Sequence, residues 1–170
     1  DQPFLSIKSN IKKLSYSFAV IELIDKTVNG EESHYQLFDL TKNILSAIND
    51  NKGKINILFW FFQLKLLSLL GFKPNLFNCS NCQNSLNSAN FLSGELFCIQ
   101  CSNSAGIKLS KNSLSLLKKI NKIEIDDIPK LKISIFERKE IGEFLKQYYS
   151  YHIDGLREIK SLRVMESILN

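Results

Sequence analysis

Cys79-Ser80-Asn81-Cys82 and Cys98-Ile99-Gln100-Cys101 hold every cysteine of the chain, as two matched pairs with fifteen residues between them. Two residues between cysteines let one tight turn present both sulfurs to the same ion, and a tetrahedral zinc ion takes four thiolates. Turn formers surround the first pair, at Asn78, Ser80, Asn81, Asn84, Ser85, Asn87 and Ser88, while Ser93-Gly94 and Ser102-Asn103 punctuate the second. The segment reads as a zinc ribbon or hook carrying one structural Zn2+ on Cys79, Cys82, Cys98 and Cys101. Four protein ligands leave no open coordination position, which disfavours a catalytic metal.

Two other uses of paired cysteines fit less well. Disulfides suit small, loop-rich secreted chains, whereas this one has apolar stretches able to build a core, and Asp1-Gln-Pro-Phe-Leu-Ser-Ile carries no leader-like run. A redox dithiol needs one pair opening a helix in a βαβ setting and has no use for the second pair. Thiols kept for metal point to a reducing, cytoplasmic compartment.

On the N-terminal side, Ile11, Leu14, Phe18, Ile21, Leu23 and Ile24 predict a helix from about residue 10 to 28, closed by Asn29-Gly30. Tyr35, Leu37, Phe38, Leu40, Ile44, Leu45 and Ile48 predict a second, ending in the loop 49–53. Ile55 to Leu70 is apolar on nearly every face, as in a helix surrounded by others. The stretch to Phe72 has the length of a membrane span, but Asn56, Gln63, Lys65 and Ser68 interrupt it, so a buried helix of a soluble domain is expected.

On the C-terminal side, Ser110 is a plausible N-cap for a helix carrying Leu114, Leu116, Leu117 and Ile120. Asp126-Asp127-Ile128-Pro129 breaks the chain, and one helical pattern then runs from about Ser134 to Leu169, with Gly155 placed to bend or divide it. The expected fold is mainly α: a helical domain, residues 1–72 and 107–170, with a four-cysteine zinc module inserted at 73–106.

The 170 residues suit one domain plus a small module. The formal charge is +5, divided as +1 over residues 1–105 and +4 over 106–170, a mild excess consistent with a nucleic-acid partner without requiring one. Arg157, Lys160 and Arg163 are three apart and on one helix would share a broad face near its C-terminus. Lys8, Lys12 and Lys13 form a second basic group. Each group reads as a phosphate-contacting patch or as a solvated face, the commoner use of such charges. Lys118, Lys119 and Lys122 are expected on a helix's outer face. Phe59 to Phe62 belong to the core, and Tyr148, Tyr149 and Tyr151 are the less buried candidates for base stacking. His34 and His152 stand far apart with no phosphate loop or nucleophile elbow nearby, so nothing supports an enzyme.

The run from Phe62 through Gly71-Phe72-Lys73-Pro74 to Cys82 resembles the helix-to-zinc segment of RecO recombination mediators. The resemblance continues through Phe91-Leu-Ser-Gly-Glu-Leu-Phe-Cys98, Cys101 and the exit Ile107-Lys-Leu-Ser110, and extends to Tyr151–Arg163. Gln83 departs from the family, where glycine usually follows the first pair. Members begin with an oligonucleotide-binding barrel, for which there is no room before Ile11, so residues 1–9 would be its remnant or a linker.

The resemblance implies a bacterial, nucleoid-associated protein that binds single- and double-stranded DNA and anneals strands. With RecR it would help RecA replace single-stranded-DNA-binding protein. Arg157 with its apolar neighbours would be an alternative seat for that protein's acidic tail. A reading from another class also fits: a zinc-ribbon adaptor that binds protein and touches no DNA.

Overall fold

The computed structural model describes residues 4–28 and 35–169, with side chains to residue 164. The expected stop at Asn29-Gly30 and His34 lie outside the described residues. Four helices come first: α1 Leu5–Lys8, α2 Ile11–Thr27, α3 Tyr35–Asn49 and α4 Ile55–Leu69. A small module follows, with β1 Ala89–Leu92, β2 Glu95–Phe97, α5 Ile99–Ser102 and β3 Ile107–Leu109. The chain closes with α6 Lys111–Lys122, a 3-10 turn Ile125–Lys130, α7 Ile135–His152 and α8 Lys160–Leu169. The fold is therefore mainly α with a four-cysteine module inserted, as the sequence indicates.

The centre is α4. It buries residues 56–64, Leu66 and Leu67, and packs against α2, α3, α6 and the 3-10 turn, which is why its apolar residues show no single stripe. Phe59, Trp60, Phe61 and Phe62 are core, and no helix among the described residues is long and apolar enough to cross a membrane. Leu76, Leu86, Phe91 and Leu96 of the cysteine module belong to the same buried cluster as the helices. Before Ile11 the chain forms the helical turn α1, anchored by buried Ile7.

Two carboxylates join elements distant in sequence. Glu140 of α7 accepts hydrogen bonds from Ser110 N at 2.9 Å, Ser110 Oγ at 2.6 Å and Ser113 Oγ at 2.6 Å, at the start of α6. Burial pushes its pKa up, but the serine donors and the Lys108 charge outweigh that and hold it below the ordinary glutamate value. Because the folded value is depressed, this stabilisation is complete above the unfolded pKa of about 4.3 and is lost as pH falls through the folded value. E140Q is expected to cost about 1 kcal/mol at neutral pH, discounted for its partial exposure, with the gap to the parent closing in acid. Melting curves from pH 7 to 3 check this, and a pH-independent gap would refute it.

Glu22 of α2 does the same for α8, accepting from Lys160 N at 2.8 Å, Ser161 N at 3.0 Å and Ser161 Oγ at 2.6 Å. Its pKa, raised by burial, is brought below the usual range by these donors and by the Lys160 charge. The C-terminal helical pattern, which Gly155 is placed to bend or divide, is thus two helices. Ile153 turns extended, Gly155 takes φ +76°, and the chain restarts at Lys160 on the Glu22 carboxylate.

Candidate metal centre

The sheet order is β2-β1-β3, with both pairings antiparallel. β1 and β2 are joined by Ser93 and Gly94, both at positive φ as a primed hairpin turn requires. β3 pairs with β1 through Phe91 and Ile107, so the exit segment is a strand of the ribbon. An isolated bridge between Asn78 and Ser85 frames the first cysteine turn. Inside it, Cys79 N donates to Asn84 O at 2.9 Å and Gln83 N to Cys79 O at 3.0 Å, while Ser80 N reaches Leu96 O of β2 at 3.0 Å. Cys98 is the N-cap of α5, which delivers Cys101 one turn later and ends at Asn103 in left-handed conformation. Buried Asn90 of β1 holds this second turn, donating from Nδ2 to Ser102 Oγ at 2.8 Å.

The four sulfurs converge, with all Sγ atoms within 4.8 Å of one another and Cys82 Sγ 3.8 Å from Cys98 Sγ. Tetrahedral zinc with Zn–S bonds of about 2.3 Å needs sulfurs about 3.8 Å apart, so the donor set suits such an ion. Cys79 is buried, Cys98 and Cys101 are half-buried, and Cys82 is exposed.

Burial pushes the Cys79 thiol up, but N–H groups of Cys82, Cys98 and Asn81 prevail and bring it down to about 6. Cys98 N donates to Cys79 Sγ at 3.3 Å. Cys101 is pushed up to about 12, chiefly by its hydrogen bond with Cys98, and stays protonated beside the Cys79 thiolate. A cation at the centre favours the thiolate form of the cysteines that hold it.

Gln83 closes the first turn at φ +60°, in left-handed backbone where glycine is preferred. Its Nε2 donates to Ser80 O at 3.2 Å in partial compensation. Q83G is expected to raise stability by about 0.5–1 kcal/mol, read as a higher melting temperature.

The ribbon is held on the helices from two sides. On one, Lys118 Nζ of α6 donates to Leu86 O at 2.7 Å, and Lys118 and Lys122 reach the Phe77 ring. Burial first and the Lys122 charge second lower the Lys118 pKa. Two of the three lysines expected on an outer face therefore reach back to the ribbon, because Phe77 and Leu86 lie against that face of α6. On the other side, Phe91 packs on Phe144, Tyr148 and Tyr151, and His152 Nε2 hydrogen-bonds Gly94 O at 2.8 Å. His152 is thus a packing residue.

The basic and aromatic candidates separate. Lys8 and Lys12 are exposed, but Lys13 is 7% exposed, its ammonium donating to Asn49 O at 2.8 Å and to Ser6 Oγ. It braces α1 and α3 rather than joining a surface patch. Arg157 lies in the connection before α8, while Lys160 opens that helix and Arg163 pairs with Glu158 at 2.6 Å. The three residues are therefore not on one helix, and the two that are stand at its N-terminal end. Tyr148 and Tyr149 are buried, donating to Phe72 O and Gln63 O, so of the three tyrosines Tyr151 alone is exposed. The buried lysine and the Asn90–Ser102 bond carry no signal in sequence, since both depend on partners brought in by the fold.

A family model described as "Recombination protein O C terminal" matches residues 8–163. Among curated proteins, "DNA repair protein RecO" of Alkaliphilus metalliredigens is 29% identical, over 97% of this chain and 69% of the relative. Proteins of the same name from Chloroherpeton thalassium and Clostridium perfringens are 26% and 27% identical, covering 98% and 97% of this chain and 70% and 74% of the relatives.

Proposed function

The chain belongs to the RecO family of DNA repair proteins, and we propose that it works there as a non-covalent mediator: a metal-clamped helical scaffold that binds DNA and protein partners. The family match over residues 8–163 carries this reading. The metal is one zinc ion, held by Cys79, Cys82, Cys98 and Cys101 and closed to substrate. DNA, single- or double-stranded, meets Lys8, Lys12, Arg157, Lys160 and Arg163 through its phosphates, giving affinity without sequence choice. RecR is the protein partner in strand annealing and in the replacement of single-stranded-DNA-binding protein by RecA. Arg157 is a seat for that protein's acidic tail. The work is cytoplasmic, at the nucleoid.

Fluorescence anisotropy of labelled single-stranded DNA across a salt series tests the DNA reading. Five phosphate contacts predict a log–log salt slope of about −3.5. Native mass spectrometry tests the metal, with one zinc per chain expected and a metal-free mass two or four protons light refuting it.

One observation favours the adaptor reading. Ile11, Phe18 and Ile21 of α2 are 46%, 56% and 48% exposed at spacings of seven and three, an apolar stripe suited to a protein surface. An absence of DNA binding at low salt would put this reading first.

A further inference from the structure

Phe77 differs from the other rings that carry a lysine. Lys65 lies 5.2 Å from the centroid of Phe61, but Phe61 is 5% exposed, so that pair is packing. Phe77 is 40% exposed, and two ammonium groups approach it from one turn of α6, Lys118 at 5.2 Å and Lys122 at 4.9 Å. Lys118 suffices to staple the ribbon, through Leu86 O. Lys122 has no hydrogen bond or carboxylate partner among the described residues. Residues 111–122 contain Lys111, Lys118, Lys119 and Lys122 and no acidic residue. A second like charge beside the first costs Coulombic repulsion, which an arriving anion relieves.

We infer that Phe77, Lys118 and Lys122 form a contact for single-stranded nucleic acid. A base stacks on the open part of the Phe77 ring, and Lys122, backed by Lys118, neutralises the adjoining phosphate. An exposed aromatic ring with ammonium groups 4.9 and 5.2 Å from its centroid fits an unpaired strand, because the bases of a duplex already stack on one another and offer no free face. An acidic peptide would satisfy the lysines but leave the ring without a stacking partner. This contact lies on the ribbon side of α6, among none of the basic residues assigned above, and it rests on the DNA-binding reading.

The test is anisotropy of a labelled oligothymidylate with the full chain and its F77L, K122Q and K65Q variants, each checked for metal content and melting temperature. F77L is expected to bind about tenfold more weakly with the parent's salt slope, since stacking releases no counterions. K122Q is expected to bind several-fold more weakly with a slope shallower by about 0.7. K65Q should match the parent, and duplex affinity should be unchanged in F77L. If the parent binds while F77L and K122Q keep its affinity and slope, the contact is overturned and the DNA reading stands. If the parent binds no DNA, both fall. Should F77L lose metal or melt early, K122Q decides alone, because its side chain is exposed and leaves the Lys118 staple in place.

Discussion

Replacing Cys79 with serine is expected to abolish metal binding and to lower the stability of the whole chain by several kcal/mol. Cys79 is the one fully buried sulfur, it draws the Cys98 N–H, and its turn receives backbone bonds from both arms of the knuckle. Serine offers a harder, barely ionised oxygen, and a structural zinc site supplies roughly 10–16 kcal/mol of apparent binding free energy that a three-thiolate remnant does not retain. The damage should not stay local. Leu76, Leu86, Phe91 and Leu96 share one buried cluster with the helices, so losing the ribbon uncovers apolar area on α6 and α7. C79S should therefore melt in a single transition at lower temperature, and chelation should reproduce it in the parent. An unchanged metal content with an unchanged melting curve would remove the metal from the account of stability.

The second large effect is expected at Gly106. It has φ +88°, and a Cβ placed there would stand 2.2 Å from the Phe91 carbonyl oxygen and 3.0 Å from its carbon. Those are backbone atoms of β1, fixed by the Phe91–Ile107 pairing, so relief means opening the β1–β3 ladder. G106A should cost about 3 kcal/mol or more, combining left-handed strain of about 1–2 kcal/mol with the clash. G71A is the matched control, since Gly71 shares a positive φ of 83° but has nothing within 4 Å of the added carbon. It should lose only the conformational part, about 1 kcal/mol, or roughly 2–4 °C in a domain of this size. Equal melting temperatures for the two variants would mean that the ladder yields without strain.

The elements that were legible in sequence are those defined locally. The apolar run of α4, interrupted by Asn56, Gln63 and Lys65, pointed to a surrounded helix, and the cysteine spacing to a shared ion. Ser110 caps α6 as expected, its hydroxyl accepting from Ser113 N. What failed depended on distant partners. Gly155 marked the place where the last helical pattern divides, but the restart on the Glu22 carboxylate was hidden, because Ile153, Leu156 and Ile159 keep helical phase across the gap between α7 and α8. Lys13 looked like its neighbours Lys8 and Lys12 because sequence gives residue type and not the Asn49 carbonyl awaiting it. Within the site, the four ligand candidates were readable, while the staples that seat the ribbon, from Lys118 and His152, were not.

The ribbon occupies the whole connection between two helices, α4 and α6, that pack on each other. Residues 70–110 must close as a loop before that contact forms, and the closure entropy of so long a segment slows the encounter. A metal joining Cys79 to Cys101 shortens the effective path, leaving only short tethers at either end. The metal should then quicken folding as well as stabilise its product, and a chain that meets its ion late would collapse around α4 before the ribbon side of α6 has found its place.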